Sequence, residues 1–487
     1  MKFPLLEEQT TAVVEFNLET LIDDAIHWAH IHGMVTRTKE NRLNPDIAAF
    51  LPFSLFPTPF PRVIFEQAQS VHTLMQLLYF RVSSDIEFLR ENLQSTAETN
   101  ELMADLLKIM NIVNEEGNKQ PLNFILMRAD YMSDMGKNEQ TGETEYGLKQ
   151  IEVNIGQAGG FVNSANITKL HRRTMALAGF DTSKEKMPDN PCDTMLINAL
   201  VMAWKKFDDK DAIILIVAGK LYRDYEQYQL NYLMENVSKN KIKIVQMSLA
   251  EAAEELTLGN DHSLRYGTQK VAIAFYRSFS SLRDERIFNV RLMIERSTAI
   301  KIPTVANALA SQKKIQQILA KPGMVKRFFP HPNEADKVTA IRKTFTGLYG
   351  LDDPDNENTK RVIQDAIAHP DNYVMKPSRE GGGNNFWGDE IPKKLREMSR
   401  AELSGHILMQ KVHPFSAPNY MVRPNDGVQH GNVVTELSTF GTLLGHVKTK
   451  AVLHNAQQGH YARSKPEGAT EGGVYGGGGV VDSPFLF

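Results

Sequence analysis

Six consecutive apolar residues, Ala212–Val217, leave few choices for the fold. A helical pattern follows at Tyr222–Val237, and Lys241–Met247 then alternates apolar and polar residues as a strand does. A strand, a helix and a second strand in this order form a β-α-β unit with parallel strands. Because Val271–Tyr276 supplies a further strand, the sequence predicts a separate α/β domain over residues 211–310.

Several classes of protein are excluded by what the sequence lacks. No G-x-G-x-x-G follows the first strand, which excludes a dinucleotide site there, and no G-x-x-x-x-G-K-[ST] occurs, which excludes a P-loop NTPase. The net charge of −3 gives no basic field for a nucleic-acid backbone. No apolar stretch is long enough to span a membrane. The 487 residues have room for about two to four domains.

The cysteine content bears on the cellular compartment. Cys192 is the single cysteine, which excludes an internal disulfide and fits a reducing compartment. The first residues carry no apolar run typical of a signal peptide. Composition therefore predicts a cytoplasmic protein. Secretion directed by a signal outside this sequence stays open.

A glycine-rich segment at residues 376–385 carries the strongest chemical signal. It follows Tyr373–Met375, which is predicted to be a strand. Glycines have no Cβ, so backbone amides can close on a bulky anion, while a carboxylate suits Mg²⁺. This combination is typical of a nucleoside triphosphate site, and a mobile surface loop that binds nothing is the alternative. The segment consists of Lys376, Pro377, Ser378, Arg379, Glu380, Gly381, Gly382, Gly383, Asn384 and Asn385.

A strand predicted at Leu148–Asn154 places Glu152 and Asn154 on one face. Two oxygen side chains two residues apart can share one metal ion, although an ordinary polar strand face has the same pattern. The glycine-bearing turn Ile155–Gly160 follows, and such a turn can lie close to a small ligand.

Other segments complete the predicted organisation. Residues 1–120 are predicted to be mostly helical, with a proline-rich loop at Leu51–Pro61. Ile407–Val412 is predicted to be a strand whose apolar side chains could hold an adenine ring. The second glycine-rich segment, Gly472–Gly479, is followed by apolar residues, which a solvated tail would not need. Lys313 lies in Ser311–Gln317, which opens a predicted helix, and it could reach a phosphate, but isolated lysines are more often solvated.

Seven short motifs stand in a specific order along the chain. They are Arg128-Ala-Asp-Tyr, Glu152-Val-Asn, Lys313-Lys-Ile-Gln-Gln, the segment 376–385, Ile407-Leu-Met-Gln-Lys, Thr435-Glu-Leu and Arg463-Ser-Lys. Together they resemble eukaryotic glutathione synthetase from about residue 10 to the C-terminus, and the ten-residue glycine-rich segment is the most specific of them.

The resemblance implies an α/β protein with a permuted ATP-grasp fold, a separate Rossmann-like α/β substrate domain, an N-terminal helical region and a lid. The implied domains are a mainly helical region (1–120), an ATP-grasp part with the metal ligands (121–210), the substrate-binding domain (211–310) and an ATP-grasp part with the lid and glycine-rich loops (311–487). It also implies a homodimeric, ATP- and Mg²⁺-dependent C–N ligase. Such a ligase joins γ-glutamylcysteine and glycine through an acyl phosphate to give glutathione.

The resemblance also implies roles for individual residues. The catalytic set would be Arg128, Arg463 and Lys376. Two Mg²⁺ ions would be bound by Glu152, Asn154 and Glu380. The dipeptide and its acceptor would contact Arg128, Gln157, Gln227, Arg277, Arg463, Val474 and Tyr475. ATP would contact Lys313, Lys376, Pro377, Ser378, Arg379, Glu380, Gly381, Gly382, Gly383, Asn384, Asn385, Trp387, Met409, Gln410, Lys411, Val412, Glu436, Lys465 and Glu471.

The match to the family is uneven. The ATP and metal motifs are nearly intact, apart from Gln410 at a family glutamate and Trp387 at a family tyrosine. In the dipeptide pocket, a serine-bearing loop is replaced by residues 154–159 without a serine, and Glu-Arg-Asn is replaced by Leu221-Tyr222-Arg223. Each lost polar contact can cost about 1–3 kcal/mol. Two alternatives follow: a glutathione synthetase with compensating neighbours, or a divergent protein with altered thiol or acceptor preference that acts partly as a binding or effector protein.

Overall fold

The structure is a computed structural model that describes residues 17–38, 40–137, 141–219, 225–239, 241–277, 281–377 and 384–487. The fold is mixed α/β. None of the helices found in these ranges is both long and apolar enough to cross a membrane. The helices are α1 (Leu18–Ile31), α2 (Arg62–Ser83), α3 (Ile86–Ala97), α4 (Glu101–Glu116), α5 (Phe161–Leu177), α6 (Cys192–Phe207), α7 (Tyr225–Ser238), α8 (Leu249–Glu255), α9 (Glu285–Arg296), α10 (Val305–Ala310), α11 (Lys313–Ala320), α12 (Met324–Phe328), α13 (Ala335–Lys343), α14 (Glu357–Ala368), α15 (Glu390–Glu397) and α16 (Arg400–Ser404). The strands are β1 (Val35–Thr36), β2 (Ala49–Phe50), β3 (Phe53–Ser54), β4 (Thr58–Phe60), β5 (Leu122–Lys137), β6 (Thr144–Ile155), β7 (Ile213–Val217), β8 (Ile244–Met247), β9 (Leu256–Leu258), β10 (Leu264–Tyr266), β11 (Gln269–Tyr276), β12 (Ile300–Ile302), β13 (Leu348–Gly350), β14 (Tyr373–Pro377), β15 (His406–Gln410), β16 (Ser416–Arg423), β17 (Gly427–His446), β18 (Ala451–Pro466), β19 (Val480–Asp482) and β20 (Pro484–Leu486).

A seven-stranded sheet forms the centre of the fold, with the strand order β16-β3-β19-β18-β17-β5-β6. Strand β17 pairs antiparallel with both β18 and β5. Its Thr439 faces helix α2, because Thr439 Oγ1 lies 2.8 Å from His72 Nδ1. Successive side chains of a strand point to opposite faces, so Glu436 and Ser438 belong to the other face. The central sheet therefore has one face packed on α2 and one face left for polar side chains.

The β-α-β unit predicted from the apolar run is confirmed. Strand β7 is buried along its whole length and pairs parallel with β8, with α7 between them in sequence. Strands β11 and β12 continue the parallel pairing. Strands β9 and β10 add an antiparallel edge that the sequence did not indicate. Helix α9 follows β11 in sequence.

A small three-stranded sheet, in the order β13-β15-β14, follows later in the chain. It has a core of its own in which Leu351, Met375 and Leu408 are buried. Helix α11 is tied to this part of the chain by an ion pair, since Lys314 Nζ lies 2.5 Å from Asp352 Oδ1. The small sheet thus holds the end of β14, where the glycine-rich segment begins, in a fixed relation to α11.

The proline-rich segment Leu51–Pro61 is not the loop that its composition predicts. Strand β3 pairs with β16 and β19, and β4 pairs with β20. All residues of both short strands are buried. Their partners lie more than 350 residues away in sequence, as the pairing of Phe53 with Val422 shows, so no local pattern reveals them. The helices predicted around this segment are present as α1 to α4.

Asp482 ties the C-terminal segment to the central sheet. Its carboxylate accepts hydrogen bonds from the hydroxyl and amide of Thr58 and from the hydroxyl of Ser464. His171 Nδ1 lies 3.9 Å away, but burial lowers the pKa of this histidine to about 3, so it is neutral. Burial also raises the pKa of Asp482 to about 6, in spite of its hydrogen-bond donors.

We expect Asp482→Asn to change the pH dependence of stability in a defined direction. Between about pH 4 and 6 the folded protein keeps a proton on Asp482 that the unfolded chain releases, so this group stabilises the fold below that window and loses the contribution as pH rises through about 6. The complete shift corresponds to about 3 kcal/mol. In urea unfolding from about pH 7 to 4, the unmodified protein should gain stability relative to D482N as pH falls.

Asp365→Asn serves as a control, because the pH dependence of the stability that Asp365 contributes has the opposite sign. Hydrogen bonds from Tyr373 and His369 lower the pKa of this exposed carboxylate, so its contribution is lost on acidification. A stability difference between the unmodified protein and D482N that stays constant over this pH range would contradict the raised pKa of Asp482.

Candidate active site

A cavity of about 1060 Å³ lies between the central sheet, α11, the small sheet and the C-terminal glycine-rich segment. It collects most of the catalytic, substrate, ATP and metal residues expected from the sequence. Those that line it are Arg128, Glu152, Asn154, Gln157, Lys313, Lys376, Asn385, Trp387, Met409, Gln410, Lys411, Val412, Glu436, Arg463, Lys465 and Glu471. The sequence reasoning missed Met132 and Met135, which also line the cavity and whose apolar side chains alone gave no signal.

The register of the central sheet brings polar side chains from four strands together. Arg128 on β5 lies opposite Asn154 on β6, and Glu436 on β17 lies opposite Arg463 on β18. Because β17 also pairs with β5, these strands are neighbours. Polar positions that are separated by hundreds of residues in sequence therefore form one continuous surface.

Asp130 is the centre of this surface, although the sequence reasoning gave it no role. It is fully buried, and its carboxylate accepts hydrogen bonds from Arg128 Nε and Nη2, both at 2.8 Å. Arg463 Nη2 donates to the same carboxylate at 2.9 Å. A bidentate pair fixes the plane of a guanidinium. The spacing Arg-x-Asp on one strand face was the signal that could have identified it.

Glu152 is the acidic group that faces the lysines of the cavity. Burial opposes its ionisation, but Lys313 and Arg128 outweigh burial and lower the pKa of Glu152 to about 2. Lys313 Nζ lies 3.9 Å from its Oε2, and Arg128 Nη2 lies 3.7 Å from its Oε1. Asn154 Nδ2 donates to Oε1 at 3.2 Å. Glu152 is therefore an anion at neutral pH, with an amide group beside it.

These two residues are the described part of the predicted metal site. Within the ranges that the structure describes, no cluster of three His, Cys, Asp or Glu side chains is arranged for a metal ion. Glu152 and Asn154 do lie side by side, as the strand pattern predicts. The third predicted ligand, Glu380, lies outside the described residues, so the complete ligand set stays a prediction.

Lys376, near the end of β14, and Lys465, near the end of β18, both line the cavity. Lys376 Nζ reaches across to the carbonyl oxygen of Ile151 at 3.4 Å. Burial lowers the pKa of Lys376 to about 8, and Glu152 opposes this effect. Lys465 Nζ donates to Thr470 O at 3.1 Å and lies 6.0 Å from the ring centre of Trp387. Burial lowers the pKa of Lys465 as well.

The segment predicted to hold adenine lines the cavity, but two of its amides are already used. Gln410 N donates to Gly347 O and Lys411 N donates to Asn372 O, both at 2.8 Å. Met409 and Val412 are buried apolar neighbours of these groups. The apolar wall is therefore in place, and any adenine contact by these two residues would use their carbonyl groups or side chains.

Several predicted residues lie outside the cavity lining. Pro377 is buried at the end of β14, and Gln227 on α7 is 1% exposed and donates to Asn231. Arg277 is bound to Glu226, as detailed below. Substrate or ATP contacts by these residues stay predictions, as do those of Asn384, Val474 and Tyr475, which also do not line the cavity. Ser378, Arg379, Glu380, Gly381, Gly382 and Gly383 lie outside the described residues.

Comparison with known proteins decides the family. A sequence profile described as "Eukaryotic glutathione synthase, ATP binding domain" matches residues 15–486. The chain belongs to the eukaryotic glutathione synthetase family. It is 32% identical over 472 residues to glutathione synthetase of Xenopus laevis, covering 96% of this chain and 97% of that protein. It is 30% identical over 471 residues to glutathione synthetase of Homo sapiens, with the same coverage of each chain.

A solved structure of this type has the same fold. The apoform of a glutathione synthetase like-effector from Globodera pallida matches with a TM-score of 0.78 and 31% sequence identity. The match covers 97% of this chain and 99% of that chain. Glutathione synthetase family membership therefore extends over the whole cavity and both glycine-rich segments. The resemblance inferred from seven motifs is confirmed.

Nucleotide binding by this member of the glutathione synthetase family should weaken at alkaline pH. The ammonium form of Lys376 favours a triphosphate, and its pKa of about 8 means that the charge is lost over the accessible pH range. If only the charged form binds, the Kd for MgATP rises roughly 30-fold between about pH 7 and 9.5. Isothermal titration calorimetry between about pH 7 and 9.5 measures this Kd.

Lys376→Arg is the matched variant, because a guanidinium stays charged throughout. It should remove the alkaline inflection whatever its own affinity. Lys465→Arg should keep the inflection near pH 8, since Lys376 is intact. An inflection that survives in K376R would contradict the assignment to Lys376.

Asp130→Asn should be strongly destabilising. The substitution leaves two guanidinium groups, on side chains that are 12% and 18% exposed, without the fully buried carboxylate that they share, and breaking a buried ion pair costs about 3–5 kcal/mol. Asp134→Asn, on the same strand, should cost less than about 1 kcal/mol because that carboxylate accepts one amide hydrogen bond, from His413. Chemical denaturation compares the two variants, and equal losses would contradict the central place of Asp130.

Proposed function

We propose that this chain is an ATP- and Mg²⁺-dependent C–N ligase of the glutathione synthetase type, which joins γ-glutamylcysteine to glycine. One observation carries the proposal. Lys313, Lys376 and Lys465 converge with the ionised Glu152 on one cavity that both glycine-rich segments adjoin. Such a set suits a metal-bound triphosphate, because the phosphoryl group in transfer spreads negative charge over its oxygens.

The finer architecture belongs to the same proposal. Residues 121–210 and 311–487 would form the two parts of a permuted ATP-grasp fold, and the pairing of β5 with β17 supports this because it joins the two parts in one sheet. The small sheet would belong to the lid. Residues 211–310 would form the Rossmann-like substrate domain and residues 1–120 the helical region. Family membership suggests a homodimer.

In this proposal the nucleotide lies along the cavity from the small sheet to the central sheet. Adenine would rest against Met409 and Val412, and Trp387 would contact the nucleotide beside Lys465. The indole Nε1 of Trp387 is buried and finds no partner among the described residues, so it has a donor to offer. Glu436, Asn385 and Glu471 are the polar residues of the lining that we assign to ATP.

The residues present fit magnesium. Glu152 is an ionised oxygen ligand and Asn154 lies beside it, which is the donor type that Mg²⁺ prefers. Glu380 would complete the set from the glycine-rich segment. When bound, Mg²⁺ would neutralise charge on the phosphate oxygens and orient them. Lys313, which lies near Glu152 in this structure, would then be released to contact phosphate.

The proposed reaction has two displacement steps. A carboxylate oxygen of the dipeptide attacks the γ-phosphorus of ATP, and the bond to the leaving oxygen of ADP breaks. The glycine amine then attacks the carbonyl carbon of the acyl phosphate, loses a proton and expels phosphate. Arg128 and Arg463 would stabilise the charge on the transferring groups, held in place by Asp130. Acyl phosphates hydrolyse in water, so closure of the glycine-rich segments would protect the intermediate.

Glu152→Gln tests this proposal. It keeps the shape of the side chain but removes the charge that suits the metal ion, and we expect phosphate release to fall by roughly 100-fold or more. Release is measured with ATP, Mg²⁺, γ-glutamylcysteine and glycine. Glu145→Gln, exposed on the same strand, is the matched control and should leave the rate unchanged. Undiminished release in E152Q would remove the metal assignment.

A divergent specificity is the second candidate. Most of the described ATP residues line the cavity, whereas only Arg128, Gln157 and Arg463 of the predicted substrate residues do, and Gln227, Arg277, Val474 and Tyr475 do not. The solved relative from Globodera pallida is described as an effector, which admits a binding role for this chain too. Turnover of γ-glutamylcysteine with glycine, compared with other γ-glutamyl dipeptides and amines, separates the candidates. Turnover of γ-glutamylcysteine with glycine at the level of other glutathione synthetases would exclude a divergent specificity.

A further inference from the structure

The second glycine-rich segment folds back on itself beside the cavity. We call residues 471–479 the C-terminal turn. Its first arm, Glu471–Gly473, lines the cavity, and its second arm leads into the buried strand β19. The amides of Gly478 and Gly479 both donate to Gly473 O, at 3.1 and 3.3 Å. Backbone hydrogen bonds therefore join the two arms, with one arm at the cavity and the other at the central sheet.

Two glycines let these arms touch backbone to backbone. A Cβ at Gly478 would lie 2.5 Å from Glu471 O, and a Cβ at Gly479 would lie 2.2 Å from Gly472 O. Cβ atoms do not approach other heavy atoms so closely, so a side chain at either position would push the arms apart. A Cβ at Gly476 would instead make an ordinary contact at 3.5 Å. The glycines of the second arm thus serve the packing of the turn.

Arg423 fastens the second arm to the central sheet. It is the last residue of β16 and is 7% exposed. Its Nη1 donates to Gly477 O at 2.6 Å, and its Nη2 donates to Gly478 O at 3.1 Å. A guanidinium holds its donors in a rigid plane, so the two carbonyl groups are fixed relative to each other. Because Gly478 packs on Glu471, the position of the guanidinium is transmitted to the wall of the cavity.

The bend between the two arms is anchored as well. The side chain of Val474 is buried in the apolar core that includes Phe161 and Tyr461. The hydroxyl of Tyr475 accepts a hydrogen bond from Asn163 Nδ2 on α5 at 3.4 Å. Contacts within the protein therefore hold both the bend and the second arm, and the first arm is a wall of the cavity whose position depends on them.

We infer that Arg423 is a positioning residue for the ligation: by fixing the C-terminal turn, it holds the arm Glu471–Gly473 at the cavity and keeps water away from the acyl phosphate. The inference rests on the proposed function. Water that reached the acyl phosphate would add to it, release phosphate and return the dipeptide carboxylate. ATP would then be consumed without a new C–N bond.

The amount of phosphate released per molecule of tripeptide formed measures this protection. Arg423→Met removes both donors and leaves no buried charge without a partner. We expect the ratio, which is about one in a coupled ligase, to rise at least about threefold in R423M. A merely structural defect would lower phosphate and tripeptide together and leave the ratio unchanged. Arg286→Met, the same change at an arginine that is 55% exposed, is the matched control and should keep the ratio of the unmodified protein.

Gly478→Ala tests the same turn with Arg423 intact. Its Cβ would separate the arms, so the ratio of phosphate to tripeptide should rise as in R423M. Gly476→Ala lies in the same turn, has room for its Cβ and should keep the ratio of the unmodified protein. A folded R423M that keeps this ratio would overturn the inference. If R423M does not fold, an unchanged ratio in G478A overturns it instead.

Hydrogen exchange separates this inference from the proposed function, because it requires no turnover. A chain that forms no tripeptide fails the proposed function, and exchange then decides the role of Arg423. Mass spectrometry of residues 471–479 should show exchange at least about tenfold faster in R423M and G478A than in the unmodified protein and G476A, since the amides that bond to Gly473 O are released. Unchanged exchange in R423M and G478A would overturn the positioning role.

Discussion

Like charges must be held close together in this cavity, and buried carboxylates are what make that possible. Arg128 and Arg463 share Asp130, and Arg463 also contacts Glu436. Without these anions the guanidinium groups would repel each other in a poorly solvated space. The pKa of Arg463 is raised because Glu436 and Asp130 stabilise its charge more than burial disfavours it.

The same charges explain why the cavity can accept a highly anionic ligand. Glu152 partly neutralises Lys313 and Lys376 in this structure, and the depressed pKa values of Lys376 and Lys465 show that their charges lack full compensation. A triphosphate with its metal ion would supply that compensation. In this proposal, ion pairs within the protein are replaced by ion pairs with the nucleotide and its metal ion.

The region around the turn at residues 155–160 follows a different principle, since the charges of Glu226 and Arg277 are satisfied internally. Glu226 and Arg277 contact each other. Glu226 also accepts a hydrogen bond from Gly160 N at the start of α5, and Arg277 donates to Ala158 O, so the pair stabilises the turn at residues 155–160 as a bound substrate could. Serine hydroxyls expected by family resemblance are absent from this turn.

Much of this could be predicted from the sequence, because the relevant signals are local. The apolar run before α7 fixed a β-α-β unit, and the alternation at Glu152 and Asn154 placed both on one strand face. The glycine-rich segment with its flanking lysine indicated the nucleotide. The proline-rich segment at Leu51–Pro61 misled, because its strands exist only through partners near the C-terminus.

The sequence by itself determined the mixed α/β class and the family, since each depends on residue type and short spacing. Only the tertiary structure decided that Asp130 joins two arginines from distant strands, and that Arg277 faces Glu226 and not the cavity. The reason is physical, because ion pairs form between groups that strand register and helix packing bring within a few ångströms. Neither strand register nor helix packing can be deduced from the residues that neighbour a position along the chain.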